Sequence, residues 1–399
     1  MTFGAGIART IMPKGFFSSG LNSGVRRYRP DVGLITSETD ATAAAVYTLN
    51  TCLGAHIAYC KEILPASNIR ALITNSGQAN TAVGSDGAVD NLKMAESVAQ
   101  AMKVSTHQVL TASTGVIGKR LDLEKITAII PQLVDTQVDT AESFATAIMT
   151  TDLIPKTVTT TVKLSEGEVR ITGIAKGSGM IHPNMATMLG YILTDLALEP
   201  GVAQELLERA VQPSFNMISV DGETSTNDTV FLMANGQAKV KLASDADYKS
   251  FLKTLTEVAV VLAKSVVRDG EGATKVIEVE LKGATDDVLA RKWARSLTVS
   301  PLIKTAIHGC DPNWGRILAR LGAEGVPAEL LQKVSLSVQG IALMVQGKPQ
   351  PVDLSAVSTL LKKEEIQVCI DLHAGPVAVT AWGCDMSRKY VDINAEYMT

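Results

Sequence analysis

The chain has 399 residues, of which 46% are hydrophobic and 20% are charged, a composition that suits a folded globular protein and excludes general disorder. Its length corresponds to about two to three domains. Lysine and arginine number 37 and aspartate and glutamate 41, which gives a net charge of −4, so no basic excess points to a nucleic-acid backbone as partner.

Several further classes of protein lack support in the sequence. The longest apolar run, residues 258–267, contains Lys264 and is too short to span a bilayer, and residues 1–19 lack the order of a secretory signal. We therefore expect a cytoplasmic protein. The five cysteines form no Cys-x-x-Cys pair and the five histidines no His-x-x-x-His pair, so we expect reduced thiols and no metal site.

Predicted helices and strands are mixed along the chain, without repeats and without a strict alternation of parallel units. Strands are predicted at residues 70–76, 108–113, 229–233, 274–281, 334–338 and 367–371, and a hairpin at residues 156–174. Helices are predicted at residues 90–102, 123–133, 140–149, 200–211, 245–267 and 286–296. This pattern alone does not select one fold.

A glycine-rich turn follows the second predicted strand. Residues 112–120 (ASTGVIGKR) are similar to a phosphate-binding loop at first sight, but they lack its glycine spacing and the hydroxyl residue after the lysine. Two interpretations remain open. Either the Thr114 hydroxyl and the Gly115 backbone NH point at a ligand oxygen, or the glycine only permits a tight turn.

The segment of residues 173–195 combines features that suit an anion site. Lys176 stands among small residues, and Gly177 and Gly179 allow a close approach of the backbone. The alternative is a solvated turn. His182 is interpreted as a loop histidine, because the sequence identifies no partner for it.

Two acidic loops also allow both a functional and a structural interpretation. Residues 221–228 (DGETSTND) lack the ligand spacing of a calcium loop, so hydrogen bonds to their own backbone are expected. Residues 268–274 (RDGEGAT) place Glu271 where it could meet an ammonium group. The sequence contains no nucleophile elbow, kinase motif set or dinucleotide fingerprint, so residue spacing indicates only an enzyme of unassigned class.

Taken together, these segments resemble the ornithine acetyltransferase family, also called the bifunctional glutamate N-acetyltransferases. The resemblance covers nearly the whole chain and rests on residues 74–80 (TNSGQAN), 113–118 (STGVIG), 147–152 (AIMTTD), 173–189, 214–230 (SFNMISVDGETSTNDTV), 268–275 (RDGEGATK), 300–318 (SPLIKTAIHGCDPNWGRIL) and 390–399 (YVDINAEYMT). One departure is Gln78, where the family commonly has asparagine, and it concerns local packing more than chemistry.

The resemblance implies an α+β fold, a layered α/β/β/α sandwich built from two fragments of one self-cleaved precursor. Cleavage between Ala186 and Thr187 would give an alpha chain of residues 1–186, which carries the oxyanion site, and a beta chain of residues 187–399, which begins with the nucleophile. Two alpha and two beta chains would associate as a heterotetramer. A hydroxyl next to a strained peptide can attack the preceding carbonyl, which gives this cleavage a chemical basis.

The resemblance further implies a ping-pong transfer of acetyl from N2-acetyl-L-ornithine to L-glutamate in arginine biosynthesis. Thr187 would carry the acetyl group and use its own α-amine as general base, while the Thr114 hydroxyl and the Gly115 NH would stabilise the oxyanion. Substrate contacts map to Thr150, Lys176, Thr187, Glu271, Asn394 and Thr399, with Thr151 as an alternative to Thr150.

No metal and no tightly bound cofactor are expected, and the resemblance leaves open whether acetyl-CoA is a second acetyl donor. Two alternative functions also stay open. An amidase or aminopeptidase would use the Thr187 nucleophile with water as acceptor, and a non-catalytic chain would only bind an amino acid. Asn394 and Thr399 set a further condition, because chain ends usually fray and these residues would have to fold into the site.

Overall fold

The computed structural model describes residues 9–182 and 188–396. The strands are β1 (Phe16–Leu21), β2 (Val32–Tyr47), β3 (Ala66–Gln78), β4 (Val109–Val116), β5 (Lys156–Leu164), β6 (Gly167–Lys176), β7 (Leu189–Thr194), β8 (Ile218–Ser219), β9 (Thr229–Ala234), β10 (Val276–Ala284), β11 (Ser335–Val338), β12 (Ile341–Val345), β13 (Lys348–Pro349), β14 (Glu365–Asp371) and β15 (Val377–Cys384).

The helices are α1 (Ala55–Ile63), α2 (Asp86–Met102), α3 (Leu123–Ala128), α4 (Ile130–Asp135), α5 (Glu142–Ala147), α6 (Pro200–Val211), α7 (Asp245–Arg268), α8 (Asp287–Val299), α9 (Pro301–His308), α10 (Gly315–Ala323), α11 (Ala328–Leu331), α12 (Leu354–Leu360) and α13 (Arg388–Ala395). Within the described ranges, none of these helices has both the length and the apolar character needed to cross a membrane.

The first sheet has eight strands in the order β4-β3-β2-β9-β7-β6-β5, with β1 paired to β2. The pairs β3 with β4 and β7 with β9 are parallel, and the remaining pairs are antiparallel. The register places Gly77 beside Gly115 and Lys176 beside Leu189. The strand ends that carry Gly115 and Lys176 are therefore held in place by the sheet itself.

The second sheet has seven strands in the order β13-β12-β11-β14-β10-β15-β8. The pairs β10 with β14 and β15 with β8 are parallel, and the others are antiparallel. In β14 the apolar residues Ile366, Val368 and Ile370 are buried and alternate with more exposed ones. This period of two is typical of a strand with one face in the core.

Helix α7 joins the two sheets. Its buried residues recur at helical spacing and include Phe251, Leu255 and Leu262. The helix contacts β5 and β6 of the first sheet and β15 of the second, so the largest buried cluster contains residues of both sheets. At its start the Ser244 side chain accepts a hydrogen bond from the backbone NH of Asp247, which satisfies a donor that the helix leaves unpaired.

A smaller aromatic cluster holds the middle of the first sheet. The Tyr191 ring meets Phe144 edge to face at 4.9 Å between centroids and stacks on Phe231 at 5.9 Å. Its buried hydroxyl shares a hydrogen bond of 2.8 Å with the Thr74 hydroxyl. These contacts connect α5, β3, β7 and β9. They hold β7, which begins at Leu189, in position within the sheet.

The α+β sandwich implied by the resemblance is confirmed, with helices layered on two mixed sheets. The helix predicted at residues 200–211 is α6, the one at 245–267 is α7, and the hairpin at 156–174 is β5 and β6. The helix predicted at 123–133 is wrong in extent, because it divides into α3 and α4 just before Pro131, which stands in the first turn of α4 and cannot continue a preceding helix.

Replacing Leu262 by alanine tests the packing of α7 between the sheets. Leu262 is 1% exposed, so Leu262→Ala should reduce the free energy of unfolding by about 2–5 kcal/mol through lost contacts and a new cavity. The neighbouring Val261 is 47% exposed, and Val261→Ala is the matched control. Urea unfolding followed by circular dichroism measures both variants, and equal midpoints would contradict this packing.

Candidate active site

A pocket of about 140 Å³ lies at the ends of β4 and β6, where loops from both halves of the chain meet α13. Concave sites with a few convergent polar groups are typical of small-molecule binding. Its lining contains the predicted residues Thr114, Gly115, Thr150, Lys176, Glu271 and Asn394. Thr151 lines it as well, so the alternative between Thr150 and Thr151 stays open.

The turn at the end of β4 presents Thr114 and Gly115 to the pocket. Gly115 has φ of +133°, and a Cβ at this position would lie 2.3 Å from the carbonyl carbon of Gly77, so only glycine fits. Thr114 is buried, and within the described residues its hydroxyl has no hydrogen-bond partner. A backbone NH and a hydroxyl in a partly desolvated turn can together stabilise negative charge on a ligand oxygen.

The buried side chain of Asn227 holds this turn in place through hydrogen bonds. Its amide Nδ2 donates to the carbonyl oxygens of Ser113, at 2.9 Å, and Ala79, at 2.5 Å. Its Oδ1 accepts from the hydroxyls of Thr81, at 2.6 Å, and Thr226, at 2.5 Å. The loop before β9 is thereby joined to β4, because one side chain satisfies groups from both.

A buried ion cluster lies beneath the other wall of the pocket. The Lys156 ammonium is 2.7 Å from Asp152 Oδ1 and 2.6 Å from Asp269 Oδ2, and all three side chains are almost completely buried. Asp152 also accepts hydrogen bonds from the backbone NH groups of Gly177, at 2.7 Å, and Thr150, at 2.9 Å. The cluster therefore positions two backbone segments near Lys176: the loop that contains Thr150 and the segment that begins at Gly177.

The ammonium of Lys176 is the buried cation of the pocket wall, with Nζ 3.4 Å from the Thr150 hydroxyl. Burial lowers the pKa of Lys176, and the carboxylates of Asp152 and Asp228 oppose this shift. For Asp152, burial would raise the pKa, but Lys156 and Lys176 outweigh that effect and lower it to about 2. Lys176 thus lies at a site where a substrate carboxylate could bind its ammonium.

Glu271 contributes a carboxylate to the same pocket. It is buried, its backbone NH donates to the Ser178 carbonyl at 3.0 Å, and its Oε2 accepts from Asn394 Nδ2 at 2.9 Å. A Cβ at Gly179 would lie 2.4 Å from the Glu271 carboxyl carbon. The close approach that the glycine permits is therefore to this side chain, and α13 does fold over the site as Asn394 requires.

The structure brings six of the predicted site residues together around one pocket, and the other three lie outside the residues that it describes. Ala186 and Thr187, the predicted cleavage pair, and Thr399 lie outside the described residues. His182 does not line the pocket, and its Nδ1 is 3.4 Å from the Ser219 hydroxyl. Burial, together with Arg295, lowers the pKa of His182 to about 4.

Sequence reasoning missed the residues that support the site. Lys156 stands at the start of a predicted hairpin, where a charged residue normally faces solvent, and nothing near it in sequence reveals Asp269 as a partner. The loop of residues 221–228 does bond to backbone as expected, since Asp221 accepts from the NH groups of Met180 and Ile181. The same loop contains Asn227. Its polar amide side chain was the feature of the sequence that could have indicated a hydrogen bond to a residue outside the loop.

The fold and pocket define an α+β protein with a concave pocket that a buried lysine and a buried glutamate both line. The sequence profile of the ArgJ family matches residues 18–399, and the chain belongs to this family. The family resemblance seen in the sequence is thus confirmed.

Curated relatives agree with this assignment over almost their full length. The arginine biosynthesis bifunctional protein ArgJ of Synechococcus sp. is 44% identical over 97% of this chain and 96% of its own. The protein of the same name from Listeria monocytogenes serovar 1/2a is 42% identical over 97% of this chain and 98% of its own. The crystal structure of ArgJ from Bacillus halodurans is 38% identical with a TM-score of 0.51, and the match covers 53% of this chain and 100% of that one.

Asp152→Asn tests the buried ion cluster through its pH dependence. Because the folded pKa of Asp152, about 2, lies below the unfolded value of about 3.9, its ionised form stabilises the fold above about pH 4. That contribution, on the order of 2 kcal/mol, is lost as the pH falls towards 2. The variant should therefore be less stable than wild type at pH 7, and the difference should shrink below about pH 4.

Thermal unfolding between pH 2.5 and 7 measures this difference. Asp86→Asn is the control, because Asp86 forms an exposed ion pair with Arg120 whose loss should cost less than about 1 kcal/mol. A stability gap for Asp152→Asn that stays constant down to pH 2.5 would contradict the depressed pKa.

Proposed function

We propose that this chain is an acetyltransferase of arginine biosynthesis that moves an acetyl group from N2-acetyl-L-ornithine to L-glutamate. The observation that carries the proposal is the pocket, in which the ammonium of Lys176 and the carboxylate of Glu271 lie beside the turn of Thr114 and Gly115. N2-acetyl-L-ornithine carries a carboxylate, a free ammonium and an acetyl amide, and each of these groups has a chemical complement in this pocket.

Lys176 binds the substrate carboxylate in this proposal, and Glu271 binds the ornithine ammonium. Both protein groups are buried, so the substrate charges compensate charges that are costly to leave unpaired. The acetyl carbonyl then lies at the turn, where the Thr114 hydroxyl and the Gly115 NH donate to its oxygen as the tetrahedral intermediate forms. Removing one such donor typically costs about 3–4 kcal/mol of transition-state stabilisation.

Thr187 is the proposed nucleophile. It precedes Met188, which is buried and opens the segment in which Leu189 pairs with Lys176. Its hydroxyl oxygen bonds to the acetyl carbon, the amide bond to ornithine breaks, and the α-amine of Thr187 passes the proton to the departing nitrogen. The amine of L-glutamate then attacks the acetyl ester and restores the hydroxyl, so that the two half-reactions exchange one amide for another.

The α-amine becomes available only if the chain is cut between Ala186 and Thr187, so self-cleavage is part of the proposal. The solved chain of the Bacillus halodurans protein matches 53% of this chain over its entire length, which is the share that residues 187–399 occupy in this sequence. The two fragments stay associated and pair into a heterotetramer of two alpha and two beta chains. The cycle takes place in the cytoplasm and needs neither a metal ion nor a tightly bound cofactor.

Mass spectrometry of the denatured protein, with N-terminal sequencing, tests the nucleophile. Wild type should give two fragments that begin at Met1 and Thr187, and Thr187→Ala should give one intact chain without acetyl transfer. Thr187→Ser, which keeps a hydroxyl, should retain cleavage and part of the activity. An intact chain in an active wild-type preparation would refute the mechanism, and acetate release independent of L-glutamate would establish the amidase alternative.

Glu271→Gln tests how the substrate ammonium is recognised. The variant loses a charge-assisted hydrogen bond, so KM for N2-acetyl-L-ornithine should rise roughly tenfold to a hundredfold, while KM for L-glutamate, which has no side-chain ammonium, should change much less. Glu223→Gln is the isosteric control, because Glu223 is exposed and does not line the pocket. Steady-state kinetics with each substrate varied in turn provides the measurement, and equal effects on both KM values would contradict this role.

A further inference from the structure

A carboxyl group with an unsatisfied oxygen is buried just before β9. Asp228 is 1% exposed, and within the part of the chain that the structure describes its Oδ2 has no hydrogen-bond partner. Buried polar atoms are normally hydrogen-bonded, because leaving one without a partner costs free energy. Asp228 does not line the pocket, so a substrate in the pocket does not supply the partner. The unsatisfied oxygen therefore points to a partner within the protein.

Hydrogen bonds place Asp228 beside Met188. The Thr229 backbone NH donates to the Met188 carbonyl at 3.3 Å, and the Met188 backbone NH donates in turn to the Asp228 carboxyl. The parallel pairing of Leu189 with Thr229 continues this contact into the sheet. The carboxyl is therefore held next to the first described residue that follows the predicted cleavage point.

Covalent geometry limits where this carboxyl can find a second partner. Three bonds of about 1.3–1.5 Å separate the backbone nitrogen of any residue from that of the next, so the two nitrogens lie within about 4 Å of each other in every conformation. The two oxygens of a carboxyl are themselves separated by only two bonds. A carboxyl that binds the nitrogen of Met188 is therefore within range of the nitrogen of Thr187, which becomes an α-amine when the chain is cut after Ala186.

We propose that Asp228 is a positioning residue whose carboxyl binds the α-amine of Thr187 and holds the lone pair of that amine towards the Thr187 hydroxyl. This assignment rests on the cleavage and acetyl transfer proposed above. An amine has N–H donors as well as a lone pair, so one donor can bind the Asp228 oxygen while the lone pair accepts the hydroxyl proton. The orientation of a general base decides how efficiently it takes that proton.

The protons of the cycle balance with Asp228 in this role. The Thr187 hydroxyl proton moves to the amine as the hydroxyl oxygen bonds to the acetyl carbon. The resulting ammonium gives a proton to the departing ornithine nitrogen as the carbon–nitrogen bond breaks. Asp228 neither gains nor loses a proton in this sequence, and its carboxylate stabilises the ammonium while it exists.

The groups around Asp228 leave room for a second cation. Burial raises the pKa of Asp228 well above its ordinary value, while Lys176, the Met188 NH and the Ser225 hydroxyl favour the ionised form. Among the described residues that face the carboxyl, the charged group is Lys176 of β6. His56 of α1 contacts the carbonyl of the preceding residue and stays neutral, because burial lowers its pKa to about 4. The α-amine adds the compensation that a buried carboxylate needs.

The experiment compares the pH dependence of kcat/KM for N2-acetyl-L-ornithine in wild type and in Asp228→Asn, which keeps the shape of the side chain and removes its charge. The acid limb of this profile reports the pKa of the essential base in the free enzyme. The substitution should move the limb to lower pH by about one pH unit, because the amine loses an opposite charge that raises its pKa. We expect kcat to fall roughly tenfold or more, and KM to change much less, since Asp152 still faces Lys176.

Asp195→Asn is the matched control. Asp195 is also buried and directly follows β7, at the opposite end of that strand from Met188. Its carboxyl accepts hydrogen bonds from the backbone NH groups of Arg170, at 2.8 Å, and Lys14, at 3.2 Å. The control variant should therefore keep the acid limb of wild type and a kcat within about twofold of it, and circular dichroism checks that both variants fold.

The mass of each denatured protein is recorded beside the kinetics, because the amine exists only in cleaved chains. A cleaved Asp228→Asn protein with the shifted limb supports the assignment. A cleaved variant with the limb and kcat of wild type overturns it and leaves Asp228 with a structural role. An uncleaved variant also overturns it, since Asp228 would then act in cleavage and not on the free amine.

Ser225→Ala keeps the assignment testable if Asp228→Asn does not fold. It removes a hydrogen bond that favours the ionised carboxyl, so the acid limb should move in the same direction by a smaller amount, and an unshifted limb would overturn the assignment. Wild type separates the two proposals. An intact or inactive wild-type protein refutes the proposed function and this assignment with it, whereas a cleaved, active wild type with unshifted variants refutes the assignment alone.

Discussion

The ammonium of Lys156 is enclosed by the carboxylates of Asp152 and Asp269, and the arrangement of the pocket depends on this contact. Lys156 begins β5, Asp152 belongs to the preceding loop, and Asp269 follows α7, so one cation joins three parts of the chain. Removing one partner of a buried ion pair typically costs about 3–5 kcal/mol, because the remaining charge is left unpaired. Asp152 also accepts hydrogen bonds from the backbone NH of Thr150 and from that of Gly177, which follows Lys176.

This arrangement lets the protein keep charges of both signs in one small cavity. Lys176 and Glu271 are both buried. Burying either charge without an opposite charge or a hydrogen-bond partner nearby would cost free energy. Asp152, whose pKa is lowered to about 2, supplies negative charge near Lys176, and the uncharged amide of Asn394 donates a hydrogen bond to Glu271. The pocket is thus electrostatically organised before any substrate arrives, which reduces the reorganisation that binding and reaction require.

Sequence patterns identify the parts of this protein whose structure is decided locally. The apolar period of α7 and the β-branched hairpin of β5 and β6 are visible without any tertiary information, and the family resemblance supplied Thr114, Lys176 and Glu271. Contacts between distant residues were not accessible in the same way. The pairing of Lys156 with Asp269 spans 113 positions, and the bonds from Asn227 to β4 depend on sheet register, which no local pattern encodes.

The order of strands in the first sheet has a consequence for a chain that is cut after residue 186. Strands β7 and β9 come from the carboxyl-terminal side of that point, yet they lie between β2 and β6, which come from the amino-terminal side. The two pieces are interlocked by hydrogen-bonded ladders on both flanks, β2 with β9 and β6 with β7. A break in the covalent backbone at that point therefore leaves the sheet and the hydrophobic core undivided, and separating the two pieces would require the hydrogen bonds of both ladders to break.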